Sequence, residues 1–150
     1  MRVFRISLSK WSNKLTASRY PGRWNSKGKH VIYTVGSRAL ACLENVVHRS
    51  GEGLNNNFKV MVIEIPSKIK ITEVRKKELS KEWYKYKSYS KCQKIGDTWI
   101  IDQETAVLKI PSSIISEEHN YLINSSHKDF KYIKLIEIED FDFDPRIKGE

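Results

Sequence analysis

The stretch that decides the fold is VIYTVGSRALACLENVVH, residues 31–48. Residues 31–35 form a short run rich in apolar and β-branched side chains, which is typical of a strand. Ser37 follows as a good helix N-cap, and the apolar residues after it recur at helical spacing. These residues are Ala39, Leu40, Leu43, Val46 and Val47. The stretch therefore predicts a strand, a turn and a helix.

Other segments of the chain predict further strands and a second helical region. Residues 58–65 are a dense apolar run ended by Pro66, and Ile69 and Ile71 alternate with lysines in a second, adjacent, half-exposed strand. Helical character returns at residues 95–101, and strand character at 105–110 and 131–138. Residues 75–94 show no clear period. With one convincing long helix, this pattern predicts an α+β fold, as a single domain over residues 1–150.

The composition is that of a globular protein, with 39% hydrophobic and 30% charged residues. No apolar run near the start has signal-peptide length, and none of about 18 residues could cross a bilayer. Cys42 and Cys92 lie far apart without CxxC spacing, which argues against a disulfide framework or a cysteine zinc site. We therefore expect a cytoplasmic protein that is not inserted in a membrane.

The formal net charge of +9 would attract polyanions. Nucleic acid, an acidic protein and a phosphorylated small molecule all stay open as partners, as does a merely solvated lysine-rich surface. Aromatic residues interleaved with lysines in residues 83–94 suit base stacking, so a nucleic-acid-binding module is one hypothesis. No recognised nucleic-acid-binding motif accompanies them.

Glu44 is the first candidate for a functional side chain. On a helical projection it falls just beyond Leu40, at the edge of the apolar arc of its helix. A carboxylate there either covers the rim of the core with its methylenes or stands at the lip of a cleft, where partial burial and nearby charges can tune it.

The loop Gly22-Arg23-Trp24-Asn25 is the second candidate, because it places a guanidinium beside an indole and an amide. Arginine binds phosphate oxygens through two parallel hydrogen bonds, and loops commonly carry binding residues. The structural alternative is that Arg23 packs on Trp24.

Ser112 follows Pro111 at the end of a predicted strand, where its hydroxyl either closes a turn or faces a ligand. There is no GxSxG around it, no GxGxxG and no P-loop. The four histidines lack metal-site spacing, so no metal is expected.

Taken in order, several blocks of the chain resemble the RES-domain toxins. They are Gly22-Arg23-Trp24-Asn25, Val31-Ile32-Tyr33-Thr34, residues 40–48, 95–99, 108–112, 120–124 with His127, and 141–146. Each block is unspecific alone, but their agreement in order over nearly the whole chain is specific. Pro21 and Ser125 depart from the family pattern, and residues 75–94 match it poorly.

The resemblance implies a fold like that of the ADP-ribosyltransferases, in which split antiparallel sheets and flanking helices surround an NAD cleft. The family is named for an Arg, a Glu and a Ser, which fall on Arg23, Glu44 and Ser112, and its active-site tyrosine falls on Tyr33. These four residues are the implied catalytic set. The implied NAD-binding residues are Arg23, Trp24, Asn25, Tyr33 and Ser112.

The resemblance also implies a bacterial toxin of a type II toxin–antitoxin system that degrades NAD. It would cleave the bond between nicotinamide and ribose by hydrolysis, or by phosphorolysis with inorganic phosphate as co-substrate. An Xre-type antitoxin would occlude the cleft; a homodimer stays open, and direct nucleic-acid binding is not expected. The alternative enzyme is a mono-ADP-ribosyltransferase that modifies a cellular protein.

The four residues suggest a division of labour. Arg23 is expected to bind the pyrophosphate, and Tyr33 to stack on the nicotinamide or the ribose. Glu44 is expected to stabilise the ribose cation, and Ser112 to orient the nicotinamide end or Glu44 itself.

Overall fold

The computed structural model describes residues 1–149, which form a seven-stranded mixed sheet with two α-helices. The strands are β1 (Arg2–Leu8), β2 (Ile32–Val35), β3 (Phe58–Glu64), β4 (Ile71–Glu73), β5 (Val107–Pro111), β6 (His119–Ile123) and β7 (Lys134–Phe141). The helices are α1 (Arg38–His48) and α2 (Tyr89–Asp102). The strand order is β4-β5-β6-β2-β1-β3-β7, and only β4 and β5 run parallel. The α+β prediction is confirmed.

The predicted strand, turn and helix of residues 31–48 are confirmed as β2 and α1. Ser37 has extended backbone angles, and its hydroxyl accepts a hydrogen bond of 3.1 Å from the Leu40 amide, which caps the helix. Leu40 and Ala41 are buried against the sheet. Asn45 Nδ2 donates to the Ile6 carbonyl, so α1 is also tied to β1 by a polar contact.

The sheet is nearly divided at its centre. β1 and β2 pair at one position, Phe4 opposite Val35. On either side the pairing is continuous, from Arg2 to Leu8 along β3 and from Ile32 to Val35 along β6. Two half-sheets, β4-β5-β6-β2 and β1-β3-β7, therefore meet at a single residue pair. Side chains of both central strands line a cleft beneath α1 at this junction.

A tryptophan-rich cluster anchors α2. Trp99 and Cys92 of α2 are buried together with Trp24 and Trp83, against apolar side chains of β5 and β6. The loop that carries Trp24 and the irregular segment that carries Trp83 are thus packed on the same helix. This cluster fixes both segments at the rim of the cleft.

Several elements differ from the sequence-based expectations. Strands β1 and β6 were not predicted, and α2 is longer than α1, with 14 residues against 11. The strand expected around Ile69 and Ile71 begins at Ile71, and it forms one edge of the sheet, where four strands separate it from β3. β7 begins at Lys134 because residues 128–132 form a 3-10 helix.

Neither helix within residues 1–149 has the length and apolar character needed to cross a membrane.

Candidate active site

A cleft of about 750 Å³ lies at the junction of the two half-sheets. Its walls are β1 and β2, one face of α1, and the loop from Ser18 to Trp24, and Tyr89, Ser113 and Asn120 complete it. The volume lies within the range of pockets that bind small molecules and cofactors. Three of the predicted site residues, Arg23, Tyr33 and Glu44, line this cleft.

Glu44 is held at both of its oxygen atoms. Oε1 accepts a hydrogen bond of 2.9 Å from Asn120 Nδ2, and Oε2 lies 2.9 Å from His48 Nε2, one helical turn along α1. Its side chain is only 15% exposed, so it does not project into bulk solvent. The sequence left two positions open for the Glu44 carboxylate, over the rim of the core or at the lip of a cleft. In the structure it lies at the lip of the cleft.

Arg23 is held by hydrogen bonds and ring contacts with the segment from Ser80 to Tyr89, which we call the strap. Its Nη1 donates to the carbonyl oxygens of Trp83, at 3.0 Å, and Lys85, at 3.4 Å. Its guanidinium carbon lies 4.5 Å from the centre of the Tyr89 ring and 5.9 Å from that of Trp83. Arg23 therefore packs on strap aromatics, whereas the sequence-based alternative placed it on Trp24.

Helix α2 holds the turn that carries Arg23. Gln93 Nε2 donates to the Gly22 carbonyl at 2.9 Å, and Asp97 accepts from both the amide and the hydroxyl of Ser26. At Gly96 the helix touches the loop backbone, because a Cβ built there would lie 1.7 Å from the Trp24 carbonyl oxygen. The contacts leave no room for the turn to shift towards α2.

The Tyr33 hydroxyl is fully engaged with the same turn. It donates to Asn25 Oδ1 and accepts from the Trp24 amide at 3.2 Å. Burial raises the pKa of Tyr33 well above its ordinary value. The hydroxyl is therefore unsuited to proton transfer near neutral pH, and the ring is the part of Tyr33 that faces the cleft.

The other predicted NAD-binding residues lie mostly behind the surface of the cleft. Asn25 is fully buried, and its amide donates to the carbonyls of Tyr20 and Lys29. Trp24 borders the cleft but is 2% exposed. Both residues shape the Arg23 turn.

Ser112 is fully buried and is not among the residues that line the cleft. Its hydroxyl accepts hydrogen bonds of 3.1 Å from the amides of Ile114 and Ile115, which makes it the residue that closes the turn after β5. The next residue, Ser113, lines the cleft instead.

Sequence reasoning missed three residues that contact the predicted set: Asn120, His48 and Tyr89. His48 and Asn120 lie inside blocks that resemble the family, whereas Tyr89 lies in residues 75–94, which match it poorly, and none of the three carries a motif of its own. His48 is detectable as the i+4 partner of Glu44 on one helix. Asn120 Oδ1 is buried without a hydrogen-bond partner among residues 1–149, an unusual state for a polar atom in a folded protein.

The cleft is strongly cationic. Arg5 and Arg49 line it together with Arg23, and within residues 1–149 none of the three forms an ion pair with a carboxylate. Burial lowers the pKa of Arg5, whose guanidinium donates to the Thr16 carbonyl. Glu44 is the only carboxylate among the cleft-lining residues of this described part. The arrangement suits a ligand that carries negative charges along its length and positive charge at one point.

The hydrogen bond that His48 donates to the Glu44 carboxylate raises the pKa of His48 above its ordinary value, while burial and the charge of Arg23 act in the opposite direction. Residues 1–149 contain no cluster of three or more His, Cys, Asp or Glu side chains that could hold a metal ion.

Comparisons with known proteins agree with one another. The profile of the RES domain matches residues 2–144. The chain is 39% identical over 128 residues to the Prs ADP-ribosylating toxin of Sphingobium sp. (strain YBL2), covering 84% of this chain and 80% of that protein. It is 30% identical to Toxin Res of Yersinia enterocolitica, covering 99% of this chain and 100% of that protein.

A chain from the crystal structure of the M. tuberculosis MbcT-MbcA toxin-antitoxin complex has the same fold. It matches with a TM-score of 0.78 at 12% identity, covering 99% of this chain and 86% of that chain. Because the family profile spans nearly the whole chain and the curated relatives match along their own lengths, the chain belongs to the RES domain family.

Proposed function

We propose that this chain is the toxin of a toxin–antitoxin system and that it cleaves the nicotinamide–ribose bond of NAD. The observation that carries the proposal is the cleft, in which, among residues 1–149, Glu44 is the single lining carboxylate and three arginines form no ion pair with a carboxylate. NAD has the matching charges: a pyrophosphate with two negative charges and a cationic nicotinamide ring.

Arg23 is the proposed pyrophosphate-binding residue. Its forked guanidinium forms two parallel hydrogen bonds with phosphate oxygens, and its position at the cleft wall is fixed by backbone carbonyls of the strap. Arg5 and Arg49 add to the positive potential that attracts the dinucleotide. The Tyr33 ring is proposed to stack on the nicotinamide or its ribose.

Glu44 is the proposed catalytic residue. When the glycosidic bond breaks, its electron pair leaves with nicotinamide, which becomes neutral and needs no general acid. Positive charge then builds on the ribose, and a preoriented carboxylate stabilises this charge by an amount that reaches roughly 3 to 4 kcal/mol for a single group. Asn120 and His48 hold the two carboxylate oxygens in place for this task.

Ser112 is proposed to shape the cleft indirectly, without contact with the ligand. Its hydroxyl closes the turn that brings Ser113 to the cleft, and Asn120 makes the direct contact with Glu44. Water or inorganic phosphate is proposed to capture the ribose cation and to release a proton to solvent, giving ADP-ribose or its 1-phosphate.

The toxin role and an antitoxin partner are proposed from the relatives named as toxins and from the likeness to a chain of a toxin-antitoxin complex. An Xre-type antitoxin that covers the cleft, and action in the cytoplasm, belong to the same proposal. A protein side chain as acceptor is the second candidate, because the relative at 39% identity is named an ADP-ribosylating toxin.

Product analysis tests the proposed function. We expect the purified protein, incubated with NAD, to release nicotinamide together with ADP-ribose, or with ADP-ribose 1-phosphate when phosphate is present. Mass spectrometry of cell lysate incubated with the protein and NAD separates the second candidate, which would add an ADP-ribose mass to a cellular protein. NAD that stays intact in both reactions would contradict the proposed cleavage.

A pH profile tests the part played by His48. Protonated His48 partly neutralises Glu44, so we expect kcat to rise with pH as His48 loses its proton, with the midpoint above the ordinary histidine pKa of about 6.5. His48→Gln keeps a hydrogen-bond donor that does not titrate, and it should flatten the profile between about pH 5.5 and 8.5. A rise that persists unchanged in His48→Gln would show that another group controls the rate.

A further inference from the structure

The Tyr89 side chain lies at the point where the strap, α2 and the cleft meet. Tyr89 is the first residue of α2, it is half-buried, and it lines the cleft. Its ring faces the Arg23 guanidinium at 4.5 Å from ring centre to guanidinium carbon. The Tyr89 ring also contacts the ring of Tyr86, with ring centroids 4.8 Å apart and an interplanar angle of 41°. Tyr86 itself is 82% exposed.

One nitrogen of the Arg23 guanidinium has oxygen acceptors in the protein. Nη1 donates to both strap carbonyls, while Nε and Nη2 have no oxygen acceptor among residues 1–149. A guanidinium carries five N–H donors in one plane, so contact with an aromatic face leaves the donors at its edge free. The Tyr89 ring therefore fixes the plane of Arg23 without occupying the donors that a phosphate needs.

The two cleft tyrosines differ in their hydroxyl groups. That of Tyr33 is used twice within the Arg23 turn, whereas that of Tyr89 makes no hydrogen bond within residues 1–149. Tyr89 is thus bound to the protein through its ring, and its role depends on the ring face.

We propose that Tyr89 is a further dinucleotide-binding residue, whose ring orients the Arg23 guanidinium for two parallel hydrogen bonds to the pyrophosphate and forms the adjoining wall of the cleft. This inference rests on the proposed function, because it takes the dinucleotide to be the ligand. It also assigns a role to part of residues 75–94, for which neither hydrophobic periodicity nor a motif suggested one. Of its aromatics, Trp83 is buried and Tyr89 faces Arg23, so only Tyr84 and Tyr86 stay exposed.

The test is a titration of NAD by calorimetry on the Glu44→Gln background, in which turnover does not consume the ligand. We expect Tyr89→Leu to weaken NAD binding by roughly tenfold, as the loss of a partly desolvated cation–π contact predicts. Tyr89→Phe keeps the ring and should restore affinity to within about threefold. Tyr84→Leu is the matched control: it removes another strap tyrosine, one that packs on Trp83 and does not line the cleft, and should leave affinity unchanged.

A double-mutant cycle distinguishes positioning of Arg23 from general damage. In an Arg23→Met background, Tyr89→Leu should weaken binding by less than about twofold, because the group that it orients is already absent. Equal effects of Tyr89→Leu in both backgrounds, or a Kd unchanged from the Glu44→Gln parent, would overturn the inference. If Tyr89→Leu unfolds at a lower temperature, Tyr89→Met replaces it, since it fills the space without an aromatic face.

The two proposals fail separately. Wild-type protein that binds NAD but releases no nicotinamide would end the proposed cleavage and leave the Tyr89 result standing. Absence of NAD binding to the Glu44→Gln protein would overturn the inference about Tyr89, whatever the wild type releases.

Discussion

Glu44→Gln is expected to lower the rate of NAD loss by about 10²- to 10³-fold, the range seen when one preorganised electrostatic group is removed from an active site. The glutamine amide has the shape of the carboxylate and can still accept from Asn120 and donate to His48. What it lacks is the negative charge that the ribose cation needs. The measurement is nicotinamide release by the purified variant.

Glu52→Gln is the matched control for this prediction. Glu52 is an exposed glutamate just beyond α1, so its substitution makes the same change of charge outside the cleft and should leave turnover unaltered. Both variants should melt at the wild-type temperature. Turnover retained in Glu44→Gln with an intact fold would remove Glu44 from the mechanism.

Gly96→Ala is expected to destabilise the protein by about 3 kcal/mol, at the upper end of the cost of overpacking a core. Helix propensity alone predicts the opposite, a gain of about 1 kcal/mol for alanine over glycine. The steric clash outweighs this gain, so the free energy of unfolding falls. A Cβ at this position would lie 1.7 Å from the Trp24 carbonyl oxygen, a backbone atom that cannot rotate away. For a chain of this size we expect the melting temperature to fall by roughly 6–12 °C.

The same substitution should weaken NAD binding, because α2 and the Arg23 turn must separate to admit the methyl group. Gly36→Ala serves as the comparison, since its nearest neighbours would lie at 3.6 and 3.7 Å, which is ordinary contact. Gly36→Ala should change neither property appreciably. A Gly96→Ala protein that melts with the wild type and binds NAD equally well would show that α2 does not fix the turn.

The parts of the fold that could be predicted are those in which local pattern and tertiary environment agree. β2, α1 and β3 have dense apolar runs or a clear helical period, and the buried side chains of all three belong to the hydrophobic core. β1 was overlooked although Phe4, Ile6 and Leu8 alternate with polar residues, a signal of period two. β6 is short and opens with polar residues, and its pairing with both β2 and β5 stabilises it, which no local window shows.

The candidate site shows the same division. Arg23, Tyr33 and Glu44 come from distant parts of the chain, and the resemblance placed them in one set that the structure brings to one cleft. Ser112 illustrates the limit: a motif gives a residue's place in the chain, whereas the direction of its hydroxyl follows from the turn that it closes. Asn120 was missed because its role arises from the register of β6 beside β2.

The hydrogen bonds from Arg23 to main-chain carbonyls bear on how the sequences of such proteins can diverge. The strap holds Nη1 through main-chain oxygen atoms, and every amino acid supplies the same oxygen. Apart from Trp83 and Tyr89, whose rings contact the guanidinium, residues of the strap can therefore be substituted without loss of the hydrogen bonds to Arg23, provided that the backbone keeps its course. A constraint that acts through main-chain oxygen atoms places few demands on residue type, which fits the poor resemblance of residues 75–94 to the family pattern.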